Sequence, residues 1–179
     1  MKYKKTGATC GVMAIIAIVI NMNSGIRTNK EGLEIIGNAE GCQREPYYCP
    51  AGVLTDGMGN THGVVPGTKK TDQQIASDWA KNIKQAEVCV MRSFNGADMN
   101  VNQFSAMTSA VFNIGCKGLL TYRNSKGQLQ QTTISKMARE GQFTEMCNRL
   151  PDFNKAGGKV LNGLVIRRDK EKSLCLKSN

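Results

Sequence analysis

Residues 40–63 read EGCQREPYYCPAGVLTDGMGNTHG, and they set the architecture expected around them. Most of this stretch combines Gly, Thr and Pro with short apolar pieces, a pattern typical of a small β-hairpin. The preceding residues, 29–40, place apolar side chains on one face, with Asn29 as the N-cap and Gly41 as the stop. The sequence therefore predicts a helix that presents its last residue, Glu40, beside a hairpin.

The remainder of the chain is predicted to be mostly helical. Thr71 and Gln74 have the spacing of a capping box, and apolar residues recur at helical spacing behind them, which indicates a long amphipathic helix. Further helices are predicted at residues 104–114, 133–139, 143–150 and 167–176. One helix, a small sheet and then many helices indicate the α+β class, and the absence of repeats or long linkers favours one globular domain.

Charge and cysteine content narrow the function classes. The 179 residues include 24 Lys and Arg against 14 Asp and Glu. The net charge of +10 indicates either an anionic partner, such as nucleic acid, acidic lipid or bacterial cell wall, or good solubility and nothing more. Seven cysteines without a CxxC pair, and His62 as the lone histidine, argue against a zinc site. Disulfides in an oxidising compartment are the better account. An odd number leaves one thiol over, which is either an accident or a sign of exchange.

The N-terminal segment is predicted to be a hydrophobic anchor helix. No charged residue occurs between Thr6 and Ile26, and the residues before this run include Lys2, Lys4 and Lys5. The positive-inside rule keeps these lysines in the cytoplasm and places the remainder outside. A cleaved signal peptide is the alternative, but no clean Ala-x-Ala site follows the apolar core. We therefore expect an uncleaved membrane segment over residues 1–27 and one domain over residues 28–179.

The spacing of three polar residues resembles that of a known enzyme family. Eight residues separate Glu40 from Cys49, and five separate Cys49 from Thr55. This resembles the signature of the phage-type lysozymes, glycoside hydrolase family 24: Glu, eight residues, Asp or Cys, five residues, Thr. The resemblance spans about residues 33–176 and continues through further motifs, at residues 55–63, 103–107, 112–115 and 163–168.

The resemblance implies a lysozyme-like fold with a small β-hairpin subdomain beside the active-site cleft. It also implies cleavage of the β-1,4 bond between N-acetylmuramic acid and N-acetylglucosamine, without cofactor or metal. Glu40 would protonate the leaving oxygen, Cys49 would orient or activate the attacking water, and Thr55 would hold the water or the sugar. Arg168 would form an ion pair with Glu40, although a solvated helix arginine would look the same in sequence.

Three cysteines resemble a regulatory device found in one subgroup of this family. Cys10, Cys42 and Cys49 are arranged as in the disulfide-caged signal-anchor-release (SAR) endolysins of temperate enterobacterial phages. This resemblance implies an inactive Cys42–Cys49 state in the host inner membrane, facing the periplasm. It also implies an active Cys10–Cys42 state after release into the periplasm. The implied partners are peptidoglycan glycan strands and the inner membrane, with no nucleic acid, and a monomer is expected.

The other four cysteines are expected to form structural bridges. They lie on predicted helices or at helix ends, and four cysteines allow three pairings. From these we propose Cys89–Cys116 and Cys147–Cys175.

Other function classes stay open at this point. A thiol at position 49 is a poorer base than a carboxylate, which motivates a non-catalytic module that binds peptidoglycan. Cys49 with His62 would be a nucleophile–base pair of a different hydrolase. A membrane-anchored structural or inhibitory protein stapled by disulfides would have no cleft at Glu40. Lysis of permeabilised Gram-negative cells separates the enzyme from the binding module.

Overall fold

The computed structural model of the protein describes residues 8–22, 24–49 and 52–178. The positively charged residues predicted to precede the anchor helix lie outside the described residues. They are Lys2, Lys4 and Lys5. The helices are α1 Val12–Asn21, α2 Lys30–Glu40, α3 Asp72–Ser93, α4 Val101–Ile114, α5 Cys116–Leu120, α6 Thr133–Arg139, α7 Phe143–Asn148 and α8 Asn162–Cys175. The strands are β1 Gln43–Tyr48, β2 Leu54–Gly57, β3 Thr121–Arg123, β4 Leu129–Gln131, β5 Lys155–Ala156 and β6 Lys159–Val160.

The described part of the chain is mostly helical with small antiparallel hairpins, which confirms the predicted class. The predicted hairpin is β1–β2, and the pairs β3–β4 and β5–β6 were not predicted. Strands of two or three residues with exposed polar side chains carry too short an alternation to be recognised. Helix α8 begins at Asn162, five positions before the predicted start at Arg167, because Gly163 and β-branched residues weaken its first turn as a sequence signal.

The chain folds into two compact units. The first contains the residues up to Gly25 together with 37–82, and the second contains 26–36 and 83–179. The N-terminal segment thus belongs to the same unit as the hairpin. The sequence analysis divided the chain into a membrane segment, residues 1–27, and a domain, residues 28–179. This division stays a prediction.

In the first unit, the N-terminal segment packs onto the hairpin strand β1. Thr9 forms an antiparallel bridge with Gln43, and the Arg44 amide donates to the carbonyl of Ala8 at 2.8 Å. A disulfide joins Cys10 to Cys42 at the same edge. Strand addition of this kind satisfies backbone groups that an edge strand would otherwise leave to water.

Helix α1 follows directly, and only one of its faces is buried. Ile15, Ile16 and Val19 are buried, whereas Met13 and Ile20 are half exposed. None of the helices in the described ranges is long and apolar enough to cross a membrane. The predicted hydrophobic helix is therefore present as a ten-residue element.

The core of this unit also holds the end of α2. A Cβ added at Gly37 would lie 2.8 Å from both Met58 Cε and Val12 Cγ1, so these two side chains occupy the space that glycine leaves. Trp79 and Ile75 of α3 are fully buried. Helix α3 begins at the predicted capping box, because the Thr71 amide donates to Gln74 Oε1 at 2.9 Å and the Gln74 amide donates to Thr71 Oγ1 at 3.3 Å.

The second unit is a helical core closed by two disulfides. Its buried residues include Phe94, Phe104, Met107, Leu150 and Leu174. Burying each such side chain stabilises the fold by about 1.5–3 kcal/mol. The disulfides are Cys89–Cys116 and Cys147–Cys175, the pairing proposed from the sequence.

Candidate active site

Glu40 is the last residue of α2 and is partly buried. The helix begins where the Asn29 side chain accepts a hydrogen bond from the Gly32 amide at 3.0 Å, as an N-cap does. It ends because Gly41 adopts a positive φ of 71°, which favours glycine and breaks the helical path. The carboxylate is therefore delivered at the point where the chain turns into β1.

The Glu40 carboxylate lies against a glycine of the turn after β2. A Cβ built at Gly59 would be 3.0 Å from Glu40 Oε2, and Gly59 has a φ of 79°. Asp56 and Asn60 hold this turn by exchanging two backbone hydrogen bonds of 2.9 Å. The turn backbone thus sets how closely the carboxylate can approach it.

Substitution of Gly59 by alanine is expected to lower wall hydrolysis by at least about tenfold. The added methyl group meets Glu40 Oε2, and a displacement of about 1 Å can cost on the order of a hundredfold in rate. The matched control is Gly63→Ala, since Gly63 has a similar φ of 63° with nothing within 4 Å of the added Cβ. Both variants should lose similar stability in thermal unfolding, and only Gly59→Ala should lose activity. Equal activity losses would show that the contact with Glu40 does not matter.

A buried ion pair clamps the same turn. Asp56 is fully buried, and Lys70 Nζ lies 2.7 Å from its Oδ2 and 2.8 Å from Asp78 Oδ2. Burial alone lowers the pKa of Lys70, but the hydrogen bonds to the two carboxylates outweigh it and raise that pKa above its ordinary value. Lys70 therefore stays charged and holds the turn on which Gly59 lies. Sequence reasoning did not identify this clamp.

Thr55 lies on β2 with its side chain only 3% exposed. Its hydroxyl donates a hydrogen bond to the Val53 carbonyl at 2.9 Å. The hydroxyl proton is thereby committed, and what Thr55 Oγ1 still offers is its lone pairs as acceptors. A water bound there would donate a hydrogen to Thr55.

Cys49 lies at the end of β1 and takes part in no disulfide, because Cys42 is joined to Cys10. All seven cysteines fall within the described ranges, so the other six form the three bridges given above. The Cys49 amide donates to the Val53 carbonyl at 3.0 Å, which continues the β1–β2 pairing toward the hairpin tip. The thiol is partly exposed and belongs to the same hairpin as Thr55.

Tyr47 is a site residue that the sequence analysis missed. Burial raises the pKa of its phenol, and the negative charges of Glu40, Cys49 and Asp56 raise it further. The phenol therefore lies within the electrostatic influence of the predicted catalytic residues Glu40 and Cys49. The available signal was its position two residues before Cys49 on a strand, which places both on one face.

Arg168 is buried in the second unit. Its Nε lies 2.8 Å from Glu171 Oε2, and its terminal nitrogen donates to Asn113 Oδ1 at 3.0 Å. Burial lowers the pKa of the Arg168 guanidinium below its ordinary value, although the charge of Glu171 opposes this. Ser109 Oγ donates to Glu171 Oε1 at 2.6 Å, and Arg167 Nε lies 3.2 Å from the same oxygen. The predicted ion pair between Arg168 and Glu40 stays a prediction.

His62 serves the turn through its backbone. Its amide donates to Asn60 Oδ1 at 3.3 Å, and its carbonyl accepts from Asn60 Nδ2 at 2.9 Å, while the side chain is exposed. Within the described ranges no group of three or more His, Cys, Asp and Glu side chains could hold a metal ion.

Comparisons with known proteins agree on one family. The model of the phage lysozyme family matches residues 37–171. The SAR-endolysin of Escherichia phage P1 is 57% identical over 171 residues, covering 95% of this chain and 92% of that protein.

Two solved structures of the P1 protein differ in their likeness to this one. The crystal structure of the active form of P1 phage endolysin Lyz superposes with a TM-score of 0.91 at 57% identity, over 95% of this chain and 96% of that one. The crystal structure of the secreted inactive form gives a TM-score of 0.63 at 59% identity, over 83% of this chain and 95% of that one.

Proposed function

The chain belongs to the phage lysozyme family and is a glycoside hydrolase, and on this premise we propose that it is an endolysin that hydrolyses peptidoglycan during host cell lysis. The bond we assign is the β-1,4 linkage between N-acetylmuramic acid and N-acetylglucosamine. The observation that carries this assignment is the Glu40 carboxylate held against Gly59, on the turn that directly follows Thr55. The proposed acid, Glu40, is thereby held beside the hairpin that carries Thr55.

In the proposed reaction, Glu40 is the general acid and a water is the nucleophile. Glu40 gives its proton to the leaving glycosidic oxygen while the water attacks the anomeric carbon from the opposite face of the sugar, which inverts its configuration. Thr55 Oγ1 accepts one hydrogen of this water. Cys49 lies where related enzymes carry Asp or Cys, and as a thiolate it would accept the proton that the water loses. A thiol has an ordinary pKa of about 8.5, and as a neutral thiol Cys49 would only orient the water, whose proton would then pass to bulk solvent.

We further propose that Cys49 is also the point of control. In the exported, inactive state a Cys42–Cys49 disulfide blocks the thiol. The Cys10 thiolate then attacks Cys42 Sγ, a Cys10–Cys42 bond forms, and Cys49 leaves as a thiolate. Atoms and electrons balance in this exchange, so no external oxidant or reductant is required.

Two observations support this assignment of states. The structure contains the Cys10–Cys42 bond and leaves Cys49 out of any disulfide, as the active state requires. It also superposes with the active P1 enzyme at a TM-score of 0.91, against 0.63 for the secreted inactive form.

We propose that the N-terminal segment, residues 1–27, has two environments. Before release it lies in the host inner membrane with residues 28–179 on the periplasmic side, and after release it packs on the enzyme in the periplasm. The apolar side chains that α1 buries in the protein, Ile15, Ile16 and Val19, would contact lipid in the first state. The transfer is feasible because Asn, Gly and Thr residues in and beside the run reduce the free energy gained from lipid.

The partners follow from the same proposal. Peptidoglycan glycan strands are the substrate, and the net charge of +10 favours the anionic wall. We propose a monomer that uses neither a cofactor nor nucleic acid.

The test is the chemistry of the products released from purified peptidoglycan. We expect the solubilised fragments to end in reducing N-acetylmuramic acid, formed at a rate proportional to enzyme concentration. Reducing N-acetylglucosamine ends would indicate cleavage of the other bond, and 1,6-anhydromuramic acid would indicate a transglycosylase. Binding to sedimented wall without new reducing ends would favour the non-catalytic module.

A further inference from the structure

The register of the β1–β2 hairpin places Tyr47 directly opposite Thr55. Residues that face each other in an antiparallel pair point to the same face, with Cβ atoms about 4.5–5.5 Å apart. Cys49 is two positions after Tyr47, and the bond from its amide to Val53 continues the pairing, so its side chain points to this face too. Tyr47, Cys49 and Thr55 therefore share one face of the hairpin.

An irregularity in β1 produces this alignment. Gln43 pairs with Gly57, and the next aligned pair is Tyr47 with Thr55, so β1 uses four positions where β2 uses two. Such a bulge changes the direction in which the following side chains point, and bulges are common beside active sites. The neighbouring Tyr48 faces the other way and is 60% exposed.

The groups around the phenol are mostly acceptors. The negative charges that act on the phenol are those of Glu40 at the end of α2, Cys49 at the end of β1, and Asp56 on β2, where it is paired with Lys70. Burial and these negative charges raise the pKa of Tyr47, so the phenol keeps its proton throughout the neutral range. Tyr47 is thus a neutral hydrogen-bond donor in acceptor-rich surroundings.

On the side of the attacking water, none of the three predicted catalytic residues offers a hydrogen-bond donor. Thr55 has committed its hydroxyl proton to Val53, Glu40 gives its proton to the leaving oxygen on the opposite face of the sugar, and a Cys49 thiolate can only accept. A water held by these acceptors alone would donate both of its hydrogens. Nothing would then fix the direction of its lone pairs. One donor to the water oxygen removes this freedom and leaves the other lone pair for the anomeric carbon.

We propose that Tyr47 is a fourth catalytic residue, whose phenol donates a hydrogen bond to the oxygen of the attacking water. The proposal rests on the function proposed above, because it assigns Tyr47 to the same water. The phenol keeps its own proton in this step. The water loses its proton to Cys49 where that is a thiolate, and the leaving oxygen takes the proton of Glu40.

The activity test is Tyr47→Phe, with Tyr48→Phe as the matched control. Removing a positioned donor at a reacting centre typically lowers kcat by about 10²–10³-fold. We expect Tyr47→Phe to lose at least about tenfold in kcat on solubilised glycan strands with KM unchanged, whereas Tyr48→Phe keeps the parent values. A parent kcat in Tyr47→Phe overturns the proposal, as does a loss matched by an equal loss of folded protein in thermal unfolding.

A second measurement tests the surroundings of Tyr47 without relying on activity. Tyrosinate absorbance is titrated in the parent and in Tyr47→Phe, and the difference isolates Tyr47. We expect its midpoint above the ordinary value of about 10, and a fall of that midpoint in Glu40→Gln. A midpoint unmoved by Glu40→Gln overturns the proposal. Hydrolysis of wall by Glu40→Gln at the parent rate would instead overturn the proposed function itself. The two measurements thus distinguish failure of the Tyr47 proposal from failure of the proposed function.

Discussion

Glu40→Gln is expected to lower wall hydrolysis by about 10²–10⁴-fold while leaving the fold intact. The amide has the size of the carboxyl group but cannot give a proton to the leaving oxygen, and general acid catalysis contributes a factor of this size. Gln at position 40 still fits beside Gly59, because its amide has nearly the same size as the carboxylate and Gly59 carries no side chain. The measurement is turbidity loss of outer-membrane-permeabilised Gram-negative cells, with circular dichroism to verify folding.

Helix α2 itself offers a matched control for this variant. Glu34 lies on α2 and makes a surface ion pair with Lys30 at 3.8 Å. Such pairs contribute about 0.3–0.5 kcal/mol, so Glu34→Gln should keep both stability and activity near the parent values. Lysis by Glu40→Gln at a rate close to that of Glu34→Gln would rule out Glu40 as the general acid.

The sequence allowed predictions for residues that follow a recognisable spacing or belong to a distinctive residue type. The intervals between Glu40, Cys49 and Thr55 resemble the signature of the phage-type lysozymes. The structure puts the three residues on one helix end and one hairpin, and their catalytic roles stay predictions. The four C-terminal cysteines are paired as proposed, Cys89 with Cys116 and Cys147 with Cys175. Such residues can be predicted from one sequence because the signal is a short spacing along the chain or a distinctive residue type.

Residues whose role depends on register or on distant partners could not be found in this way. Tyr47 faces the site only because of the bulge in β1, and no alternation pattern predicts a bulge. Lys70 finds Asp56 across fourteen positions through a turn that hydropathy does not reveal. Arg168 could equally have been a solvated helix residue on sequence grounds, yet it is buried with Arg167 and Glu171 on α8.

The N-terminal segment shows a different limit of sequence reasoning. An apolar run indicates an apolar environment, and lipid and a protein core satisfy this equally. The ten-residue helix α1 buries three of its apolar side chains in the protein. Hydropathy therefore shows only that the segment avoids water. The cysteines are the residues that indicate when the segment leaves the membrane.

Cys10→Ser is expected to abolish lysis after export, whereas Cys42→Ser is expected to be active while still in the membrane. Without Cys10 nothing in the N-terminal segment can attack the Cys42–Cys49 bond, so the catalytic thiol stays blocked. Without Cys42 that bond cannot form, and Cys49 is available as soon as the enzyme folds. Cys49→Ser should be inactive or much weakened in both locations if the thiol takes part in catalysis. The measurements are the onset of lysis after induction and a non-reducing disulfide map of membrane-bound and soluble protein.

A loss of stability must be separated from a loss of control in these variants. Removing a structural bridge with Cys147→Ser costs about 2–5 kcal/mol and should lower activity in membrane-bound and soluble protein alike. Cys10→Ser differs because a reductant can replace the missing thiol. Adding dithiothreitol to the purified variant should restore at least part of its hydrolysis by reducing Cys42–Cys49. If Cys10→Ser lyses cells as quickly as the parent after membrane depolarisation, disulfide exchange is not the trigger and Cys10 only helps to hold the segment on β1.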